Sequence, residues 1–462
     1  MAKDSVRVSF HGAAGTVTGS KYLVEYQDKK ILIDCGIFQG PKEMRMRNWE
    51  APTFKPAELD CIVLTHAHID HTGYLPLVTK YGFKGPIFCS AATKDLLQLL
   101  LPDAAHLQEQ EAFFSNKHGT SRHKPAKPLF DLDDAIRSLS QLRSFDTKKP
   151  FEISKGAYIT TSCAGHILGS LSFNLDIGGK RITFSGDVGR YGSPILPDPQ
   201  PIALGDLLIV ESTYGDRLHA AADMRTELAK VVNDAHARQG TIVIPSFAIG
   251  RTQTLLYELA ELERANKIPV IPVYVDSPMA VDATEIYKKY HNDFDQDAQN
   301  IISKGELPLK TEQTYMCHSV DESKALNVQS GTRIIISASG MATGGRVLHH
   351  LKNLMPDEKN IILFVGFQGQ GTRGQIIQSG AKEVRIFSKY VPVNAEVRTI
   401  SGLSGHGDKS ELSRWLKSCS GTPSIVRVVH GEPKASSSFS KILKEDFKWD
   451  AVPAKHLESL EL

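Results

Sequence analysis

No stretch of this 462-residue chain approaches the run of about 20 apolar residues needed to span a bilayer. Met1-Ala2-Lys3-Asp4 opens no apolar signal segment either, so a membrane or exported protein is not expected and the cytoplasm is. Cysteine is sparse: Cys35, Cys61, Cys89, Cys163, Cys317 and Cys419 are scattered, and no two form a Cys-x-x-Cys pair. That argues against a separate thiolate zinc site, and it fits a reducing compartment. Net charge is nearly absent, at +2, so any anionic substrate must be met by a local patch and not by a bulk field. Internal repeats and low-complexity tracts are missing too. At this length the chain exceeds one small core, and two or three domains are expected.

What is present is Thr65-His66-Ala67-His68-Ile69-Asp70-His71, in which four of seven residues can ligate a metal. Asp60-Cys61-Ile62-Val63-Leu64 just before it reads as a buried strand, and Thr72-Gly73-Tyr74-Leu75-Pro76 opens a short helix. In an extended segment residues two apart point the same way, which aims His66 and His68 at one point. Asp70 and His71, past the bend, can serve a second point nearby. Imidazoles with a carboxylate suit zinc or a similar first-row ion. Without a thiolate, such a set belongs to catalysis more often than to structure; the plain alternative is a polar loop whose histidines cap a turn.

The first sixty residues read as a β-meander over Val6–Phe10, Lys21–Tyr26 and Lys30–Asp34, with a glycine turn at Gly12-Ala13-Ala14-Gly15. Helical patterns follow at 93–101, 103–114 and 131–142. The stretch 115–127 is basic (Lys117, Arg122, Lys124, Lys127, with His118 and His123). It reads either as a phosphate contact or as a solvated loop. Strands return at 157–161, 181–184 and 207–210. From about Arg217 strands alternate with helices: 241–245 with 252–265, 270–275 with 280–290, 333–337 with 345–354, 361–365 with 375–378. Continuous apolar strands alternating with helices predict a second domain with a mostly parallel sheet covered on both faces. The earlier style resumes near Ala395. The expected division is therefore 1–216, 217–394 and 395–462.

Several strands end on groups that carry chemistry. Asp34 ends one strand and could orient a ligating histidine or close an Asx-turn. Asp187 ends another and could bridge two metals. Glu211 ends a third. His166 lies among glycines in Cys163-Ala164-Gly165-His166-Ile167-Leu168-Gly169-Ser170 and could supply a further ligand. His406 and His430 also follow strand-like runs beside glycines. One rim of a sheet is expected to hold them all. Gly369-Gln370-Gly371-Thr372-Arg373-Gly374 matches a dinucleotide fingerprint, with Glu396 downstream, but its helix is short. A glycine turn that brings backbone N–H groups near a phosphate is the better reading, so no nucleotide cofactor is expected.

Taken together, His66-x-His68-x-Asp70-His71, His166 and Asp187 resemble the metallo-β-lactamase superfamily. Glu211, Ser404-Gly405-His406-Gly407-Asp408 and Val429-His430-Gly431-Glu432 resemble the motifs of its β-CASP branch, as do Gly12–Gly15 and Gly371-Thr372-Arg373-Gly374. The resemblance covers nearly the whole chain. It implies an α/β fold: a metallo-β-lactamase αββα sandwich (1–216 and 395–462) interrupted by a β-CASP domain (217–394). It implies two Zn2+ ions, with Mn2+ as an alternative, one held by His66, His68 and His166 and the other by Asp70, His71 and His430. Asp187 would bridge them, and Asp34 would support the ligands. Glu211 would pair with His406, and the histidine at 430 is the pattern of RNA-acting members. The implied activity is a ribonuclease acting on single-stranded RNA, endonucleolytic before 5′→3′ exonucleolytic, with 5′-phosphate and 3′-hydroxyl products. Arg251, Arg346, Thr372 and Arg373, beside glycine-rich turns, are candidate substrate contacts. A homodimer is left open. The competing readings are a small-molecule hydrolase of thioesters or lactams, a catalytically silent RNA-processing scaffold, and a DNA nuclease.

Overall fold

The computed structural model describes residues 5–121, 123–219, 223–366, 368–369, 371–400, 402 and 404–462. Arg122 and Gln370, which fall in the stretches named above, lie outside the described residues. The chain divides into two compact units. One comprises Met1–Tyr191, Asp198–Leu218 and His406–Leu462, and the other Gly192–Pro197 and His219–Gly405.

The first unit contains two seven-stranded sheets. One runs in the spatial order 459–461, 7–10, 22–26, 29–33, 61–63, 87–89, 142–144; the other runs 451–453, 425–428, 207–210, 180–184, 171–177, 157–163, 151–154. The sheets share one apolar layer. Val8, Phe10, Ile31 and Ile33 from the first meet Ile159, Phe173, Phe184 and Ile209 from the second, all essentially buried. Alternation along each strand does this, since successive side chains face opposite ways. Val188, Leu208, Val210, Val426 and Val428 face outward, where the helices Lys409–Ser418 and Pro433–Asp446 cover them through Leu412, Trp415, Phe439 and Leu443. On the first sheet's side lie the helices Leu75–Lys80, Ala91–His118 and Leu132–Ser140.

Within each sheet the strands that matter for chemistry run parallel: 29–33 with 61–63, and 180–184 with 207–210 and 425–428. Their carboxyl ends carry Asp34, Thr65 and His66, Asp187, Glu211 and His430. The functional rim thus belongs to two sheets, not to the single sheet expected.

The second unit is built on six strands in the order 314–316, 273–275, 333–337, 241–245, 361–365, 396–400. All of their pairings are parallel, where a mostly parallel sheet was expected. Ile242, Ile244, Ile334, Ile336, Ile361 and Leu363 face one apolar layer, and Val243, Ile335, Ile362 and Phe364 face another. Helices cover both faces, which is why the strands read as unbroken apolar runs. Glu396–Ile400, grouped from the sequence with the returning segment, pairs along its whole length with 361–365 at the edge of this sheet.

Two helices expected over 93–101 and 103–114 are one, Ala91–His118, with Pro102 inside it. Ser90 caps its start, its hydroxyl accepting from Thr93 N at 3.1 Å, and Gly119 ends it in the left-handed region at φ 62°. Proline removes one backbone bond, and the packing of Leu96, Leu97, Leu101 and Ala105 outweighs that loss. All six cysteines are free thiols. Among the described residues no helix is long and apolar enough to cross a membrane.

Candidate metal centre

Each expected ligand sits at a strand end or in the turn after it. His66 and His68 follow strand 61–63, and Ile69–Thr72 forms one helical turn that carries Asp70 and His71. His166 lies in the turn between strands 157–163 and 171–177, where its backbone N–H donates to Ser170 Oγ at 3.0 Å. That turn is packed tightly against the Asp187 loop. Gly189 N donates to Ala164 O at 2.7 Å, and a Cβ on Gly189 would stand 2.0 Å from Gly165 O. Gly36 has the same function beside Asp70, whose carbonyl oxygen would be 1.6 Å from a Cβ there. His430 adopts a left-handed φ of 48°, and its N–H donates at 2.7 Å to Ala13 O in the Gly12–Gly15 turn. The glycine turn at the start of the chain therefore seats a residue near its end.

The side chains gather into two sets. His68 Nδ1 lies 3.1 Å from His66 Nε2 and 3.0 Å from His166 Nε2. In the second set His71 Nε2 is 3.1 Å from His430 Nε2, which is 3.4 Å from Asp70 Oδ2. Asp187 faces both: its Oδ2 is 3.5 Å from His66 Nε2 and 3.6 Å from His166 Nε2, and its Oδ1 is 3.3 Å from His71 Nε2. Both Asp187 oxygens are buried and accept no hydrogen bond among the described residues. A carboxylate in that position costs several kcal/mol unless a cation meets it.

Neighbouring hydroxyls and carboxylates fix which ring nitrogens face inward. Asp34 Oδ2 accepts from His71 Nδ1 at 2.7 Å, so the lone pair of His71 is on Nε2. Thr65 Oγ1 donates to Asp34 Oδ2 at 2.9 Å; having given its one proton, it accepts from His66 Nδ1 at 3.0 Å. Thr213 repeats the device. It donates to Glu211 Oε2 at 2.7 Å and accepts from His430 Nδ1 at 3.0 Å. His66, His71 and His430 thus all turn an Nε2 lone pair inward. The His71 and His430 lone pairs, 3.1 Å apart, repel unless a cation lies between them. Ligands at zinc–nitrogen distances of about 2.0–2.1 Å in a tetrahedron are separated by about 3.3 Å, close to this distance.

The electrostatics agree for the first set but not for His71. Despite its burial, Asp187 and Asp34 raise His71 well above its ordinary value, so that a metal at Nε2 would have to displace a proton. Burial and the neighbouring imidazoles hold His66 well below its ordinary value, and burial takes His68 down to about 4. Both are neutral, as ligands must be. Burial opposes charge on Asp187, but the surrounding imidazoles dominate and keep it ionised. The donor set therefore fits a divalent metal.

His406 and Glu211 stand beside this centre. His406 Nδ1 donates to Glu211 Oε1 at 3.3 Å and lies 3.8 Å from Asp187 Oδ2. Burial depresses the His406 imidazole, yet Glu211 and Asp187 outweigh it and raise it to about 9. Glu211 is held by Val188 N at 2.7 Å as well as by Thr213. Thr65 and Thr213 were not singled out from the sequence; the signal available was a threonine next to, or two residues after, a chemistry-bearing position.

The expected substrate contacts lie in the second unit. There the donors of the three arginines hold its own turns together. Arg346 donates to Asp276 Oδ1 and His318 O, each at 2.7 Å. Arg373 donates to Arg385 O and Thr343 O, each at 2.9 Å. Arg251 donates to Val365 O. Thr372 caps the six-residue helix Arg373–Gln378, and Glu396 pairs with Arg398 and Arg238.

Family models match three stretches: the metallo-beta-lactamase superfamily over residues 14–149, the Beta-Casp domain over 252–377, and the Zn-dependent metallo-hydrolase RNA specificity domain over 390–453. Ribonuclease TTHA0252 of Thermus thermophilus is 34% identical over 95% of this chain and 96% of its own length. The transcription termination factor FttA of Methanocaldococcus jannaschii is 32% identical over 99% of this chain and 72% of its own. An RNase J-like protein of the same organism is 31% identical over 96% of both chains. Among solved structures, a protein of unknown function from Enterococcus faecalis V583 superposes with a TM-score of 0.59 at 14% identity. It covers 99% of this chain and 100% of its own, which speaks for the fold alone. With two inward-facing nitrogen sets sharing one carboxylate, and with these matches along its length, the chain belongs to the β-CASP branch of the metallo-β-lactamase superfamily and is a metal-dependent hydrolase.

Proposed function

We propose that this hydrolase is a zinc-dependent ribonuclease. It cleaves single-stranded RNA with two metal ions, leaves 5′-phosphate and 3′-hydroxyl ends, and cuts internally before it trims from the 5′ end. The observation that carries the reading is Asp187, whose two buried oxygens each face a different nitrogen set. The ribonuclease names of two relatives support RNA as the substrate.

His66, His68 and His166 would hold one ion, and Asp70, His71 and His430 the other, with Asp187 between them. Bound there, such ions lower the pKa of water and polarise a phosphoryl oxygen. The chain supplies the rest. Glu211 keeps a proton on His406 Nδ1 and stabilises the imidazolium; with Val188 N and Thr213 anchoring it, Glu211 does not follow the ring. As the P–O3′ bond breaks, its electron pair stays on the ribose oxygen, and the proton on His406 Nε2 passes to it. The leaving group departs as a neutral hydroxyl, and the water oxygen remains on phosphorus as part of the 5′-phosphate.

The test is a 5′-labelled single-stranded RNA incubated with zinc-loaded protein, beside an Asp70→Ala/His71→Ala variant. Labelled fragments of intermediate length that require the intact site support internal cleavage. A labelled mononucleotide from the first time point replaces it with 5′→3′ trimming. No cleavage by protein carrying its metal refutes the ribonuclease reading for free RNA.

A further inference from the structure

The long helix Ala91–His118 begins beside the centre and ends far from it. At its start Ser90 Oγ donates to Gly169 O at 2.8 Å, in the turn that carries His166. At its end Phe113 and Phe114 stand in solvent, 64% and 55% exposed, with rings 5.9 Å apart. Exposed phenylalanines in sequence are costly to keep on a monomer's surface, and they mark a binding surface when a complementary partner exists.

Charge shows what that partner is. From Ala112 to Phe130 the sequence carries four Lys or Arg and two His and no carboxylate, in a chain otherwise nearly neutral. Lys117, Lys124 and Lys127 are exposed and form no ion pair among the described residues. Lys117 is one helical turn from both rings. The segment that follows is built back onto the helix: Asn116 donates to Ala126 O at 2.9 Å and accepts from Ala126 N at 2.7 Å. Gln108 Oε1 accepts from Leu129 N at 2.9 Å. These clips bring Lys127, next to Ala126, to the last helical turns. Flat apolar faces among unpaired cations are how single strands are bound without sequence preference: bases stack on the rings and phosphates meet the cations.

We propose that Phe113, Phe114, Lys117, Lys124 and Lys127 form an accessory surface for single-stranded RNA, distinct from the metal centre, which holds the substrate at a distance from the scissile bond. This rests on the ribonuclease reading. The helix sets the spacing. From Ser90 to Phe113 it advances about 34 Å at 1.5 Å per residue. A stacked strand rising about 3.4 Å per nucleotide needs about ten nucleotides to cover that length. Short substrates therefore do not reach the surface, and long ones do. A protein partner fits less well: apart from Glu109, which accepts from Leu132 N, and the exposed Glu111, the end of the helix and the segment after it present cations, few complementary pairs for an ordinary, mixed-charge surface.

The experiment compares fluorescein-labelled 6-mer and 20-mer RNA by anisotropy, on zinc-loaded protein carrying His406→Ala to slow cleavage, with and without the further substitutions. In parallel, cleavage is assayed with zinc. Phe113→Ala/Phe114→Ala should bind the 20-mer roughly tenfold more weakly, the loss of one to two stacked bases, and the 6-mer unchanged. Lys117→Gln/Lys124→Gln/Lys127→Gln should flatten the dependence of log K on log salt by about 2, from three phosphate contacts at about 0.7 each. Alanine at exposed helical positions favours the helix, and thermal melts confirm that the variants fold. Unchanged 20-mer binding overturns the proposal, as does an equal loss on both lengths. So does a wild-type dimer that the double alanine variant dissociates while RNA binding is unaffected. If wild-type protein cleaves RNA but the variants match it, only the accessory surface fails. If wild-type protein neither binds nor cleaves RNA, the ribonuclease reading fails with it.

Discussion

Thr213→Val tests the proton bookkeeping of the centre. Valine keeps the shape and removes one hydroxyl, which now donates to Glu211 Oε2 at 2.7 Å and accepts from His430 Nδ1 at 3.0 Å. Glu211 retains Thr213 N at 3.2 Å on that oxygen and Val188 N on the other, so its position should survive. His430 has no such reserve. Its Nδ1 proton loses its acceptor at a buried position, which costs about 1–3 kcal/mol, and the ring is freed to take the other tautomer. That tautomer points a proton where His71 Nε2 and Asp70 expect a lone pair. Losing a partner of this kind lowers metal affinity by roughly 10–100-fold. The loss should fall on one set alone, because the Thr213 hydroxyl bonds Glu211 and His430, and His430 belongs to the second set. Competition with a chromophoric zinc chelator resolves the two sites as separate phases. The expected trace keeps the tighter or looser phase of wild type intact and shifts the other. Equal weakening of both phases, or no change in either, would refute the tautomer argument.

Three further outcomes follow from the geometry. His406→Ala should reduce the rate of RNA cleavage by roughly 10²–10⁴ while zinc content by elemental analysis stays at the wild-type level; parallel loss of zinc would make His406 a ligand. Lys21 is buried, donating to Gly36 O at 2.5 Å, and burial lowers it from 10.5 to about 8. Between those values the unfolded chain binds the extra proton, so this residue's contribution to stability rises with pH from about 8 to about 10.5. The span corresponds to about 3 kcal/mol, and the difference between wild type and Lys21→Met in urea melts across that window measures it; a flat difference counts against a charged, buried lysine. In the second unit Asp276 is buried and bonds Arg346 at 2.7 Å, His350 Nε2 at 2.6 Å and Ser323 Oγ at 2.5 Å. Asp276→Ala strands those partners and should cost about 3–5 kcal/mol in chemical denaturation, and a loss below 1 kcal/mol would show that the network relaxes.

The sequence reveals the metal-facing residues more readily than the groups that orient them. His66, His68, Asp70 and His71 lie within six residues, and strand-end periodicity shows where they point. Thr65 and Thr213 could not be read in the same way. A threonine beside a strand end is ordinary, and only the 2.9 Å and 2.7 Å contacts to Asp34 and Glu211 give each hydroxyl a direction. Strand 171–177 is hard to read in the sequence for a related reason. Ser172 and Asn174 are buried and find partners in Ser185 O and Ala203 O, so polar residues sit where alternation predicts an outward face. Pro102 misled in the opposite direction, because local geometry argues for a break and tertiary packing overrides it. The arginines beside glycine turns looked like phosphate contacts since glycine and arginine together suggest an anion; in the fold their donors close those turns instead.

His71 and His430 touch across 359 positions of sequence. At about 5–20 residues per second on the ribosome, His430 emerges roughly 20–70 s after His71. Strand 425–428, which carries it, lies between 207–210 and 451–453 in the second sheet. A growing chain can therefore assemble the His66, His68 and His166 set early, while its sheet still lacks an inner strand. The second set waits for His430, and Glu211 waits for His406, the ring whose proton it holds. A chain halted short of residue 406 would carry the first set without His406 or His430, so under the two-set reading the order of synthesis would withhold hydrolysis until His430 has emerged.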